Sequence, residues 1–267
     1  MNPNPAADPT PVTDADPAPA IEASHLDCGY DGKVVLRDVS FSVRRGEIFY
    51  IIGGSGCGKT TLLRHLVGLM TPSGGDVRFG GVSFTRAGPS ERLAMLRTFG
   101  MLFQSGALWS SLTLRQNVAL PLEEYSGLSR SEIDHAATFK LAQVGLGGYE
   151  DYFPSEISGG MNKRGGLARA LALDPQIVFF DEPSAGLDPV TARHMDNLIL
   201  QVRDTFGMTI LVVSHDLDSI FSIADRLIML DRETQGIIAN GVPRDLAAAP
   251  PSPKVAEFLS LHSSRPR

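Results

Sequence analysis

Cysteine, tryptophan and excess positive charge are all scarce in this chain. Of 267 residues, two are cysteine, at Cys28 and Cys57, and one is tryptophan. Two cysteines cannot build a disulfide framework, and no metal-ligand spacing surrounds them, so a reducing, cytoplasmic compartment fits best. Lys plus Arg number 24 against 30 Asp plus Glu, a net charge of −6, which argues against a sequence-blind nucleic-acid binder, whose surface must be basic. No stretch approaches the ~20 apolar residues that cross a bilayer. The most apolar runs, Ile48 to Ile52 and Ile177 to Phe180, have the length of buried strands. The amino terminus has neither the basic start nor the apolar segment of a secretory signal. The expectation is a chain that does not itself enter a membrane. Its 43% hydrophobic content suffices for a core, and its length suits one large domain or two small ones.

Residues 1–20 hold six prolines, five alanines and three aspartates, with almost no large apolar side chain. Such a segment has too little to bury to offset its ordering entropy, and it reads as a disordered tail. From Ile21 the pattern becomes β-like: Val39, Phe41 and Val43 alternate with Ser40, Ser42 and Arg44, as in a half-buried strand. After the turn chemistry of Arg45-Gly46, Glu47 to Ile52 reads as a fully buried strand. Thr60 to Met70 has helical apolar spacing. Buried-strand candidates follow at 98–103, 176–180, 208–214 and 226–230, with helical and loop-like signals between about 106 and 160. Strands alternating with helices imply a parallel sheet covered by helices. The chain beyond Leu246 is Ala/Pro-rich, then offers one short helix, Lys254 to Leu261.

Residues 53–60 read Gly-Gly-Ser-Gly-Cys-Gly-Lys-Thr, between an apolar strand and an amphipathic helix. This is the full strand, G-x-x-x-x-G-K-[ST], helix pattern. Phosphate oxygens need many N–H donors at close range, and Gly53, Gly54, Gly56 and Gly58 let the backbone curl around them. The helix start adds its dipole, Lys59 a full charge, and the Thr60 hydroxyl a hard oxygen for Mg²⁺. Ser55, Cys57 and Thr61 complete the stretch. Cys57 is either oxidation-sensitive or simply small enough to fit.

Ile177 to Phe180 is followed by Asp181 and Glu182, at the carboxyl end of a central strand, where open α/β sheets bind ligands. Adjacent acids after a buried run are costly unless they meet a cation or a proton. Asp181 is assigned to the Mg²⁺ shell and Glu182 to polarising an attacking water. A second anion-binding helix start lies at Ser158-Gly159-Gly160, with Ser158 as N-cap of a helix through Leu173. One chain has one phosphate cradle, so the economical ligand of this second start is the nucleotide of another subunit.

Together these motifs resemble, in family order over about residues 21–246, the nucleotide-binding domain of ABC transporters. The resemblance implies a P-loop NTPase fold: a RecA-like α/β core, an antiparallel β layer near the amino terminus, and an inserted helical subdomain at about 105–165. It places Tyr30 where the family stacks an aromatic on adenine. Gln104 matches the Q-loop glutamine, reaching toward Mg²⁺ or water. Ser158-Gly159-Gly160 matches the signature that contacts the opposite subunit's γ-phosphate. Asp188 matches the D-loop aspartate that links the two sites of a dimer, and His215 the switch histidine. The implied activity is ATP hydrolysis with Mg²⁺ in a head-to-tail homodimer. One departure is Met161, where the family signature usually has Gln: a thioether donates no hydrogen bond.

Leu102 to Leu108, Ser158 to Met161 and Ser214 to Ser219 are similar to a narrower group, the Mla-type, Mkl-like ATPases of bacterial lipid transport, in which the signature Met is usual. That resemblance implies phospholipid or other lipid cargo, a polytopic permease, an MCE lipid-binding protein, and a peripheral place on the cytoplasmic face of the inner membrane. Trp109, Leu112 and Leu114 then face either the permease or, for the two leucines, an ordinary helical core. The short C-terminal helix docks on its own core, on the dimer partner or on a small regulatory subunit. The alternatives are an ABC importer or exporter of another solute, a soluble ABC ATPase acting on DNA or ribosomes, and a nucleotide kinase with the same cradle. The single set of motifs, the acidic charge and the Ser158 helix start weigh against the last two.

Overall fold

The computed structural model describes residues 18–260. Most of the Pro/Ala/Asp-rich segment, and the chain from Leu261 onward, lie outside the described residues. The last residue of that segment, Ala20, is already buried, donating its N–H to Val43 O (2.9 Å) and accepting from Gly80 N (3.1 Å).

In chain order the elements begin with β1 (Ile21–Tyr30), β2 (Lys33–Val43), β3 (Ile48–Gly53), α1 (Lys59–Leu66), β4 (Gly74–Phe79), β5 (Val82–Ser83), α2 (Pro89–Leu96) and β6 (Phe99–Leu102). Helices α3 (Leu114–Tyr125) and α4 (Arg130–Gln143) and a 3-10 turn (Pro154–Glu156) lead to α5 (Gly159–Ala170). Then come β7 (Ile177–Asp181), α6 (Pro189–Phe206), β8 (Thr209–Val213), α7 (Leu217–Ile223), β9 (Arg226–Asp231), β10 (Gly236–Gly241), α8 (Pro243–Ala248) and α9 (Pro253–Ser260). Six strands form one sheet, ordered β10-β9-β3-β8-β7-β6, parallel except for the β9/β10 hairpin. Four form an antiparallel sheet, β2-β1-β4-β5.

The period of two along each parallel strand divides the core. Ile48, Tyr50 and Ile52 of β3 join one cluster with Val178, Phe180, Ile210 and Val212, covered by α3 to α7 and by Val255 and Leu259 of α9. Phe49 and Ile51 join the other with Phe179, Leu211 and Val213, covered by the antiparallel sheet and by Leu62, Leu63 and Leu66 of α1. Both faces are dry, which is why these strands read as continuous apolar runs. Phe79, Phe84, Phe99 and Phe179 meet edge-on or tilted at centroid distances of 4.3–6.5 Å and join the two sheets.

Local chemistry sets the boundaries. Helix α6 starts where the Asp188 carboxylate accepts from Val190 N (3.0 Å) and Thr191 N (3.1 Å) ahead of Pro189, and stops at Gly207, φ +64°. Ser129 and Glu132 box the start of α4, and Thr113 and Gln116 that of α3. The apolar stripe from Thr60 predicted a helix to Met70, yet α1 ends at Leu66. Gly68 turns the chain at φ +76°, and a Cβ there would lie 2.6 Å from the Phe84 ring. Leu69 is exposed as a result. Leu114 is fully buried, Leu112 half-buried and Trp109 exposed, so of the three only Trp109 lies open to a partner. Helix α9 packs on its own chain: Val255 and Leu259 are buried, and Lys254 Nζ donates to Asp231 (3.2 Å) and Glu233 (2.5 Å). Among the described residues, no helix is long and apolar enough to cross a membrane.

One buried polar chain crosses the first cluster. Tyr50 O–H donates to Ser219 Oγ (2.7 Å), and Ser219 O–H donates to Asp196 Oδ1 (2.6 Å). Burial above all, with Asp216 and Asp218 nearby, pushes the Asp196 carboxyl up to about 6, against the Ser219 hydrogen bond. Because the native state holds this proton more tightly than the unfolded chain, its stabilising effect is complete at low pH and is lost as pH rises through about 6. Asp196→Asn keeps the acceptor and removes the charge. Its melting temperature is expected to exceed the wild-type value by more at pH 8 than at pH 5, and an equal offset at both pH values would contradict the burial argument.

Candidate functional site

The parallel register brings three strand ends together. Ile51 of β3 pairs with Val213 of β8, and Val213 with Asp181 of β7. The glycine loop, the acidic pair and His215 therefore leave the sheet on one edge. The loop, Glu182 and His215 line an open cavity of about 670 Å³ with Tyr30, Lys59, Thr60, Thr61 and Gln104, and Asp181 is not among its lining residues.

In the loop, two glycines are demanded by contacts within the chain. Gly53 sits at φ +143°, and a Cβ would lie 2.4 Å from Leu230 O and 2.7 Å from Cys57 Sγ. Gly58 caps α1 at φ +104°, with Val35 and Leu36 at 3.0 Å from a Cβ. Above Gly54 and Gly56 a Cβ would meet open space, so nothing within the chain crowds a side chain there. Lys59 Nζ donates to Gly53 O (2.8 Å) and Gly54 O (3.1 Å), holding its ammonium across the loop. Cys57 lies buried beneath, its thiol pushed up by burial against the pull of Lys59. It packs as a small apolar group rather than as an exposed reactive thiol.

At the end of β7 the Asp181 carboxyl is raised, first by burial and then by Glu182; Arg64, the Thr60 hydroxyl and Lys59 pull the other way. Among the described residues, Asp181 Oδ1 and Glu182 Oε2 are buried side-chain oxygens without a hydrogen-bond partner, as is Gln143 Oε1 elsewhere. Two hard oxygen acceptors without donors, beside a hydroxyl and a lysine, suit a cation and anionic phosphate together. No cluster of three or more His, Cys, Asp or Glu capable of holding a metal occurs among the described residues. Mg²⁺ is commonly held by one or two carboxylate or hydroxyl oxygens together with substrate phosphates, and the oxygen donors here are Thr60 and Asp181, with the exposed Gln104 nearby.

Glu182 is placed with unusual care. Its N–H donates to Val213 O (2.8 Å), and its φ is +52°, left-handed for a residue with a Cβ. Such backbone costs roughly 1–2 kcal/mol and persists where the surroundings impose it. Its Oε1 lies 2.9 Å from His215 Nδ1, whose ring is two-thirds exposed toward the cavity mouth.

The remaining predicted residues are not brought to this cavity. Ser158 caps α5, accepting from Met161 N (3.2 Å), and Gly159 is exposed. Ser158 and Gly160 line a different cavity of about 500 Å³ with Arg164 and Thr191. Met161 packs against the core. The Asp188 carboxylate is held by its own helix, capping α6 and accepting from Thr191 Oγ1 (2.5 Å).

Residues not singled out in the sequence also meet the site. Val35, Leu217 and Phe258 add apolar walls to the cavity. Lys163 is buried and donates only to backbone carbonyls, and Arg169 reaches the carbonyls of the loop after Gln104. Phe258 had a signal, the apolar stripe of the last helix. Lys163 had none, because its acceptors are main-chain atoms 19 to 22 residues away.

Residues 36–185 match the family model described as ABC transporter. The intermembrane phospholipid transport system ATP-binding protein MlaF of Escherichia coli K12 is 40% identical over 228 residues, 85% of this chain and 83% of that protein. The probable ribonucleotide transport ATP-binding protein mkl of Mycobacterium tuberculosis is 39% identical over 241 residues, 90% of this chain. The chain spans 66% of the length of that mycobacterial relative. Among solved structures, the dimeric, post-hydrolysis ATP-binding cassette MJ0796 bound to ADP and Pi superposes with a TM-score of 0.76 at 27% identity, covering 83% of this chain and 98% of the other. The cbiO1 protein of Clostridium perfringens, part of an ABC transporter complex, gives 0.78 at 26%, covering 91% and 95%. The chain belongs to the ABC transporter family, as one of its ATP-binding cassettes.

Proposed function

We propose that this protein binds and hydrolyses ATP as the motor subunit of a bacterial transporter that moves phospholipid or a related lipid between membranes. The observation that carries the enzymatic part is the Glu182–His215 pair, 2.9 Å apart at the mouth of the phosphate cradle. Glu182 Oε2 is left free to accept from an attacking water, while His215 fixes the other oxygen. Lys59 and the loop N–H groups neutralise the β and γ phosphates, and Tyr30 stands at the far wall for the adenine. Thr60, Asp181 and Gln104 would hold Mg²⁺, which supplies charge neutralisation at the phosphates when bound.

The partners follow from what the chain leaves open. Ser158 and Gly160 line a cavity that shares no residue with their own cradle, which supports a head-to-tail dimer with a second copy, as does the dimeric state of the MJ0796 cassette. Asp188 then lies between the sites. Trp109, 63% exposed, and the exposed Tyr149, Tyr152 and Phe153 lie on two chain segments joined by Leu114 N to Tyr152 O (2.9 Å) and Arg115 N to Glu150 O (2.9 Å). The exposed Trp109, in the chain that follows the Gln104 loop, supports docking of a polytopic permease. The name MlaF supports lipid cargo, and with it an MCE lipid-binding protein, a small regulatory subunit and a peripheral site on the cytoplasmic face of the inner membrane. The mkl name points to ribonucleotides instead, and the cargo experiment decides between them.

Glu182→Gln is expected to bind ATP normally, to accumulate as a closed dimer on size-exclusion chromatography, and to lose at least ~100-fold in turnover; wild-type turnover would overturn the mechanism. Lys59→Ala removes a charge-assisted contact of about 1.5–3 kcal/mol, so its ATP Kd should rise roughly 10- to 100-fold. Tagged Glu182→Gln purified from native membranes with ATP is expected to bring down a permease, an MCE protein and bound phospholipid. A permease with a solute-binding protein and no lipid would refute the lipid assignment. Trp109→Ala should lower permease recovery in the same experiment.

A further inference from the structure

Helix α5 carries three cations that all end on backbone carbonyls. Lys163 Nζ donates to Glu182 O (3.2 Å), Pro183 O (2.9 Å) and Ala185 O (2.6 Å), using all three ammonium hydrogens. Arg164 donates to Val144 O (3.1 Å) and Gly145 O (3.0 Å) at the end of α4. Arg169 donates to Gly106 O (3.1 Å) and Ala107 O (2.8 Å), in the loop after Gln104. A second tie joins the same regions: Gly160 packs so closely on α6 that a Cβ would lie 2.7 Å from the Thr191 methyl, and Thr191 Oγ1 donates to Asp188 (2.5 Å).

We propose that Lys163 is a positioning residue for Glu182. A buried ammonium is costly unless its hydrogen bonds are complete, and a methionine would fill the same space without that cost. The acceptors explain the choice. They are the carbonyl of Glu182 itself, which is held at left-handed φ, +52°, and two carbonyls just beyond it, in a segment tied to the sheet by Glu182 N–H to Val213 O (2.8 Å). By holding these carbonyls, Lys163 keeps the Glu182 backbone in that conformation and so keeps Oε1 on His215. It also fixes the segment to the helix whose first turn carries Ser158. Burial lowers the Lys163 pKa while Glu182 raises it, and the contacts are those of a charged donor.

This inference rests on the assignment of Glu182 to the attacking water, and the test separates the two. Full-length wild type, Lys163→Met, Lys163→Arg and Glu182→Gln are compared for ATP turnover and for equilibrium binding of a fluorescent ATP analogue. Lys163→Met is expected to bind the analogue within about threefold of wild type and to lose kcat roughly 10- to 100-fold, the effect of a misplaced catalytic group, with partial recovery in Lys163→Arg. Unchanged kcat in Lys163→Met beside an inactive Glu182→Gln overturns the positioning role alone. Full activity of Glu182→Gln overturns the assignment beneath it. Equal losses of kcat and nucleotide affinity in Lys163→Met mark a merely structural lysine and also overturn the proposal. Should Lys163→Met fail to fold, Lys163→Gln, which keeps two N–H donors, is read by the same criteria.

Discussion

The parallel pairing of β3, β8 and β7 is the constraint on which the rest of the structure depends. It aligns three apolar strands so that they leave the core at one edge, where their ends carry the site residues: Gly53 and its loop, Asp181 with Glu182, and Ser214 with His215. The strands are buried on both faces, which fixes their register, since a slip of one residue would exchange the members of the two core clusters. The separation between phosphate cradle, carboxylates and histidine is therefore set by the sheet and not by flexible loops. Catalytic geometry of this kind requires such rigid support.

That edge is also where the molecule tolerates local cost. Glu182 has left-handed backbone, two carboxylate oxygens are buried without donors, and Gly53 meets the Leu230 carbonyl too closely for any side chain. The unpartnered oxygens are unfavourable in isolation, and the proposed cation would offset that cost. In the proposed nucleotide complex the loop N–H groups would donate to phosphate, and Lys59, which now donates to Gly53 O and Gly54 O, would exchange carbonyl dipoles for full charges. The compensating stability comes from elsewhere: the dry faces of the sheet and the aromatic cluster joining it to the antiparallel layer.

Helix α5 connects this edge to the rest of the chain. Its N-terminal turn, capped by Ser158, lines a cavity other than the cradle, while its cations hold carbonyls on the Gln104 loop, the Glu182 segment and the end of α4. Backbone carbonyls are acceptors of fixed position, so three such contacts register one helix against three loops at once. The second copy, the permease side and the hydrolytic side of the proposed motor thus meet at one element.

The sequence by itself determined the parts governed by local chemistry. The continuous apolar runs marked the central strands, glycine spacing before Lys59-Thr60 marked the loop between β3 and α1, the Asp181-Glu182 pair marked the strand end, and Ser158 marked a helix start. These are legible because each rests on a few adjacent residues whose backbone preferences or burial leave one solution. Helix α1 ended earlier than its apolar spacing predicted, because Gly68 must pass against Phe84, in the loop just after β5. Only the tertiary structure decided that Leu114 is core while Trp109 is exposed, that α9 folds back onto its own chain to place Phe258 at the cavity, and that Lys163 grips the backbone beyond Glu182. The physical reason is the same in each case. The partners are main-chain carbonyls or packing surfaces far away in sequence, and such acceptors leave no mark on the identity of the residues that carry them.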